Sequence, residues 1–146
     1  MKRSILVLLL FSLTICLGSP LAAQDTTRLT PHQQEMNNYV VLTKKIPQLK
    51  PILLTAEHFR AEDGDTFGDF RVIICGQDIT GITDHEQMAP FLTDAKRLGV
   101  TIVACGFSLK KLGVDPVDVP EQIEIVDNGI QYDFTLQKAG YYSLGL

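Results

Sequence analysis

The residues of this chain best suited to chemistry are two cysteines in matching surroundings. Val72-Ile73-Ile74-Cys75-Gly76 is echoed by Ile102-Val103-Ala104-Cys105-Gly106. Each segment is an apolar run, a cysteine and a glycine, and the offset of 30 residues is the length of one strand–helix–strand unit. A thiol ending such a strand lies at the carboxyl edge of the sheet, where open α/β folds bind their ligands. Cys105 is the stronger nucleophile candidate. Gly106 lets the chain turn and a ligand approach. A helix from about Ser108 would aim free N–H groups and its positive end at the sulfur, which favours thiolate. Lys110 and Lys111 add positive charge. Cys75 is followed by Asp78, an acidic neighbour that disfavours thiolate, so its expected part is that of a resolving or gating thiol. Gly76, Gly106, Phe107, Ser108 and Lys110 are the residues expected to shape the site. The bland alternative is that both cysteines are small packed hydrophobes at strand ends.

If the two strands are neighbours, the Cα atoms stand roughly 5 Å apart, within the range a disulfide accepts. Linking them would close a loop of about 30 residues, worth about 3–4 kcal/mol in the chain-entropy model, less any strain. Strand-end geometry is not built for a disulfide, so a reducible, functional pair is expected rather than a permanent staple. Other constellations are poor. His32, His58 and His85 have no metal-ligand spacing, and Asp63-Gly64-Asp65 lacks the spacing and closing Glu of a calcium loop. Gly76–Gly81 has no phosphate-loop pattern, and Cys-x-x-Cys is missing, which counts against a thioredoxin-like oxidoreductase. No metal and no cofactor is expected.

The elements that must position these thiols can be read from periodicity. Tyr39–Leu42, Phe70–Ile74, Val100–Ala104, Gln122–Val126 and Tyr141–Leu144 read as strands. Pro47–Arg60 carries Leu49, Ile52, Leu53, Ala56 and Phe59 at helical spacing, with Pro51 near the first turn. Ala61–Gly68 reads as an acidic turn-rich loop. Thr83 and Glu86 have capping-box spacing ahead of the stripe Phe91, Leu92, Ala95 and Leu98, which Gly99 ends. Pro90 implies a kink there or a start near it. Ser108–Leu112 is a short helix stopped by Gly113, and Asn128 caps a helix over Ile130–Ala139 with Gly140 as its stop. Strands and helices alternate, and the strands are continuously apolar. The expected fold is therefore α/β, three layers (α/β/α) with a mainly parallel five-stranded sheet.

The whole chain has 146 residues, 45% hydrophobic and 21% charged, which suits one globular domain. Met1–Ala23 reads as a secretory signal. Lys2 and Arg3 precede the apolar run Ile5–Leu17, and Leu21-Ala22-Ala23 offers a cleavage site. The run is short of the roughly 20 residues a membrane span needs. Acylation at Cys16 is disfavoured because Ile15 stands where a small residue is wanted. Cleavage takes Lys2 and Arg3 from 13 basic residues and none of the 17 acidic ones, leaving 11 against 17 and a net charge of −6. Such a balance disfavours nucleic acid as a partner. Residues 24–36 form a polar arm and 37–146 the single domain, expected to be exported, periplasmic or secreted, with no stable membrane insertion after cleavage.

The stretch from Val103-Ala104-Cys105-Gly106-Phe107-Ser108-Leu109-Lys110-Lys111-Leu112-Gly113-Val114-Asp115-Pro116 through Val126-Asp127-Asn128-Gly129-Ile130 to Leu136-Gln137-Lys138-Ala139-Gly140-Tyr141 resembles the DsrE/DsrF-like family, which includes sulfur-relay proteins. The resemblance covers about Phe70–Leu146. It implies a three-layer α/β/α domain that forms homo-oligomers, commonly trimers or hexamers. It also implies a cysteine at the place of Cys105 that accepts sulfane sulfur as a persulfide and passes it on, with a sulfur-donor or thiol protein as partner. Cys75 lies outside the family pattern. The expectation is thus an exported sulfur- or thiol-handling protein with Cys105 as the persulfide-carrying or nucleophilic thiol. The rival is a non-catalytic oligomeric binding module with an incidental cysteine pair.

Overall fold

A computed structural model describes residues 35–146. The signal segment Met1–Ala23 and most of the polar arm lie outside the described residues.

Five strands form one sheet, and every pairing is parallel. They are β1 (Asn37–Thr43), β2 (Phe67–Ile74), β3 (Val100–Cys105), β4 (Glu124–Val126) and β5 (Tyr142–Gly145), in the spatial order β4-β3-β2-β1-β5. The helices are α1 (Leu49–Asp63), α2 (His85–Leu98), α3 (Gly106–Leu112) and α4 (Gly129–Lys138). The succession β1-β2-β3 steps along the sheet one way, which with right-handed crossovers puts α1 and α2 on one face. The return from β4 to β5 runs the other way, and α4 lies against β1, β2 and β3 on the opposite face. The three-layer α/β/α fold follows. No helix among the described residues is long and apolar enough to cross a membrane.

The central strands are apolar on both faces because both are covered. Val72, Ile73 and Ile74 of β2 and Ile102, Val103 and Ala104 of β3 are all at most 1% exposed. Against them α1 buries Leu49, Ile52, Leu53 and Ala56, and α2 buries Met88, Ala95 and Leu98.

Several elements differ from the sequence reading. Ala61–Gly68 is not a loop: α1 runs on to Asp63, a 3₁₀ turn spans Gly64–Thr66, and β2 starts at Phe67. Thr83 and Glu86 do not form the capping box. Thr83 ends a 3₁₀ segment, Gln77–Thr83, and Asp84 is the N-cap, its carboxylate accepting from the Gln87 N–H at 3.0 Å. Pro90 sits inside α2 rather than at its start. The Asn128 cap is present and accepts from the N–H groups of Ile130 and Gln131.

Candidate functional site

The parallel register fixes where the thiols stand. Ile74 pairs with Ala104, so Cys75 and Cys105 are level at the carboxyl ends of adjacent strands. Neighbouring strands lie about 4.8 Å apart, which places the two Cα atoms within disulfide range. Both thiols are free and buried, Cys105 at 3% exposure and Cys75 at 7%.

Cys105 is the N-cap residue of α3, which begins at Gly106 rather than at Ser108. Three residues on, Ser108 turns back over the first turn. Its hydroxyl accepts the Gly76 N–H at 3.1 Å, leaving its own proton for the Cys105 sulfur. On the other side the chain returns from β4 into α4, and the Gly129 N–H donates to the Cys105 Sγ at 3.2 Å. Gly129 is required there, because a Cβ would lie 2.6 Å from the Cys75 sulfur and 2.8 Å from Ile73. Burial pushes the Cys105 pKa up. The Ser108 hydroxyl beside the sulfur, the Gly129 N–H hydrogen-bonded to it, and the neighbouring Ser108 N–H and Cys75 thiol outweigh it and hold Cys105 below the ordinary thiol value.

Cys75 is its opposite. Burial pushes it up to about 12, helped by the charge and hydrogen bonding of Cys105 and by Asp133. The acid that matters is thus Asp133, on α4, and not Asp78, which is exposed and does not line the site. One thiol of the pair is set to ionise first, and the other is set to keep its proton beside it.

The cysteines open onto a cavity of about 340 Å³, at the lower end of the range for small-molecule pockets. Leu42, Phe107, Leu112 and Ile130 give it apolar walls, with Gln77, Ser108 and Asn128 as polar groups. Two of its lining residues are cationic, Lys44 just past β1 and Lys111 on α3. Among the expected site residues, Gly76, Phe107 and Ser108 line this cavity with both cysteines. Gly76 turns with φ +82°, a conformation open chiefly to glycine. Gly106 and Lys110 do not line it; they face a separate groove with Val114, Asp115 and Asp127. The small size of Gly106 serves packing, since a Cβ would sit 2.9 Å from the Val126 carbonyl. The cation at the thiols on α3 is Lys111, one residue further along.

Lys44, Asn128 and Gly129 were not among the site residues expected from sequence. Lys44 follows the carboxyl end of β1, and Asn-Gly at a predicted helix start marks a close approach, so both had a faint signal.

Solved proteins share this architecture. The chain is 17% identical to MTH1491, a protein of unknown function from Methanobacterium thermoautotrophicum, with a TM-score of 0.60 over 75% of this chain and 99% of that one. It is 16% identical to BT1422, a conserved protein of unknown function from Bacteroides thetaiotaomicron, with a TM-score of 0.59 over 75% of this chain and 95% of that one. At such identities the likeness carries the fold and nothing about activity. No family model and no curated protein matches the chain.

Proposed function

We propose that this is an exported sulfur-handling protein of the DsrE/DsrF-like kind, in which Cys105 is the nucleophilic thiol and carries sulfane sulfur as a persulfide. The observation that carries this reading is the opposed pair of buried thiols: Cys105 held toward thiolate by donors from α3 and α4, and Cys75 held protonated against it. A merely packed strand-end cysteine needs no such donors.

In the first step the Cys105 thiolate attacks the outer sulfur of a persulfide R–S–SH. The donor's S–S bond breaks, R–S⁻ leaves, and Cys105 holds S–SH with no net oxidation. The carried sulfur then passes to an acceptor thiolate by the same exchange. Where no acceptor arrives, Cys75 attacks the Cys105 Sγ. Hydrosulfide leaves, and the two thiols are oxidised to a disulfide as the sulfane sulfur is reduced. Cys75 is thereby a resolving thiol whose high pKa delays that discharge.

The domain is further proposed to be a homo-oligomer. β5 is an edge strand exposed along its length, with Tyr142 and Leu144 at 65% and 56% exposure, and α4 presents Ile130 and Phe134 outward. An apolar sheet edge of this kind calls for a cover.

Intact-mass analysis after treatment with a persulfide donor tests the function. A reductant-sensitive gain of one sulfur atom, abolished by Cys105→Ser and retained in Cys75→Ser, is the expected result. No gain in Cys75→Ser, where discharge to the disulfide is blocked, refutes it. N-terminal sequencing of exported protein should start near Gln24, and a product starting at Met1 contradicts the signal.

A further inference from the structure

The cavity at the thiols is electrostatically out of character with the chain around it. The protein has 17 acidic and 13 basic residues, yet the cavity's lining includes Lys44 and Lys111 and no acid. The nearby carboxylates are turned elsewhere. Asp127 lines the neighbouring grooves, Asp133 is held by Gln137 and Ser143, and Asp78 is exposed outside the lining. Both lysines are exposed and neither is in an ion pair among the described residues, so their charge is available at the mouth.

The lysines come from different parts of the fold. Lys44 follows β1, and Lys111 lies in the last turn of α3. Two cations from separate segments, around an apolar-walled space lined by both thiols, are complementary to an anionic group attached to a sulfur. The volume of about 340 Å³ holds roughly eleven water-sized groups, which fits an amino-acid-sized molecule. Resting on the function proposed above, we infer that the sulfur donor is a low-molecular-weight persulfide whose thiol half carries a carboxylate, seated between Lys44 and Lys111. The carboxylate remains on the leaving R–S⁻, and the two ammonium groups also stabilise the negative charge that develops on that sulfur. A cleft lined by one sign of charge raises the local concentration of the opposite ion and its rate of encounter.

The test is a charge series of thiol reagents on the full chain carrying Cys16→Ser and Cys75→Ser, so that Cys105 is the single thiol. Methyl methanethiosulfonate is neutral, its 2-sulfonatoethyl analogue anionic and its 2-(trimethylammonium)ethyl analogue cationic. Each transfers its thiol half to the cysteine and releases methanesulfinate. Rates are normalised to those with 2-mercaptoethanol. The anionic reagent is expected to exceed the cationic one by about tenfold or more at low salt, with the ratio shrinking as salt is added. Lys44→Gln with Lys111→Gln should bring the ratio near one while the neutral reagent still reacts. Mercaptoacetate persulfide should likewise load Cys105 faster than the persulfide of its amide. Equal normalised rates for all three reagents, or an anion preference that survives the double substitution, overturn the inference and leave the proposed function standing. A Cys105 inert to all three overturns both. Loading from a protein-bound persulfide but from neither small donor also overturns the inference.

Discussion

Replacing Ser108 by alanine separates the activated thiol from the packed one. Ser108 is 8% exposed; its hydroxyl accepts from the Gly76 N–H, which leaves its proton to lower the Cys105 pKa. A hydrogen bond to a charged group contributes about 1.5–3 kcal/mol. Losing it lowers the thiolate population about 10- to 150-fold at a pH below the midpoint. A more basic thiolate is also a better nucleophile, with a Brønsted slope of about 0.4–0.5, which returns part of the loss. The net fall in the rate of attack at fixed pH is therefore about 4- to 16-fold, with the lower figure expected because the Gly129 N–H still donates to the sulfur. The assay is the pH dependence of alkylation in the Cys75→Ser background, with the midpoint followed independently by ultraviolet thiolate absorbance. The midpoint should move to higher pH in Ser108→Ala, and the plateau rate above it should not fall. Losing the Gly76 partner also costs about 1–3 kcal/mol of stability, which denaturant unfolding reads separately. A folded Ser108→Ala protein with an unmoved midpoint refutes the assignment of Ser108 as a donor to the thiolate.

Three other outcomes are expected. Gly129→Ala places a methyl 2.6 Å from the Cys75 sulfur and 3.1 Å from the Cys105 Cβ, so it should destabilise the fold by about 1–3 kcal/mol in urea unfolding and slow Cys105 alkylation. Cys75 has its folded pKa raised to about 12 from an ordinary value near 9, so its contribution to stability is whole below pH 9 and is lost as pH rises from 9 toward 12; Cys75→Ala should show a shallower alkaline fall in urea midpoint. Sedimentation should find an oligomer, and Phe134→Glu with Leu144→Glu should dissociate it without unfolding, whereas a concentration-independent monomer in the unsubstituted protein refutes that assembly.

The sequence carried the frame of the site because strand ends are legible. A buried parallel strand is a continuous apolar run, and Val72–Ile74 and Ile102–Ala104 could hardly be anything else. Their adjacency was left conditional by the 30-residue offset, since a strand–helix–strand unit can skip a strand, and the pairing of β2 with β3 supplies it. Finer placement was lost where one residue of helix phase matters. Successive positions on α3 point about 100° apart, and nothing in the sequence says which of Lys110 and Lys111 faces the thiols; Lys111 lines their cavity. The segment Gln77–Thr83 reads as turn-like in composition, and nothing in Gln-Asp-Ile-Thr-Gly-Ile-Thr distinguishes a packed 3₁₀ run burying Ile79 and Ile82 from a loose loop. Asp133 was invisible because its importance is tertiary: it acts on a cysteine 58 positions earlier through the return of α4 across the sheet.

That return has a consequence in time. The Gly129 N–H that reaches Cys105 opens α4, and α4 is anchored at its far end by β5 joining β1, about 100 residues distant in sequence. A contact of such long sequence separation forms late, after the local strand–helix–strand units. While the chain is nascent or unfolded, Cys105 is an ordinary thiol, protonated at neutral pH and slow to react. On the function proposed here, the donors around Cys105 are held in place once α4 is packed, so an unfolded chain would carry no activated sulfur that could be captured by the wrong partner.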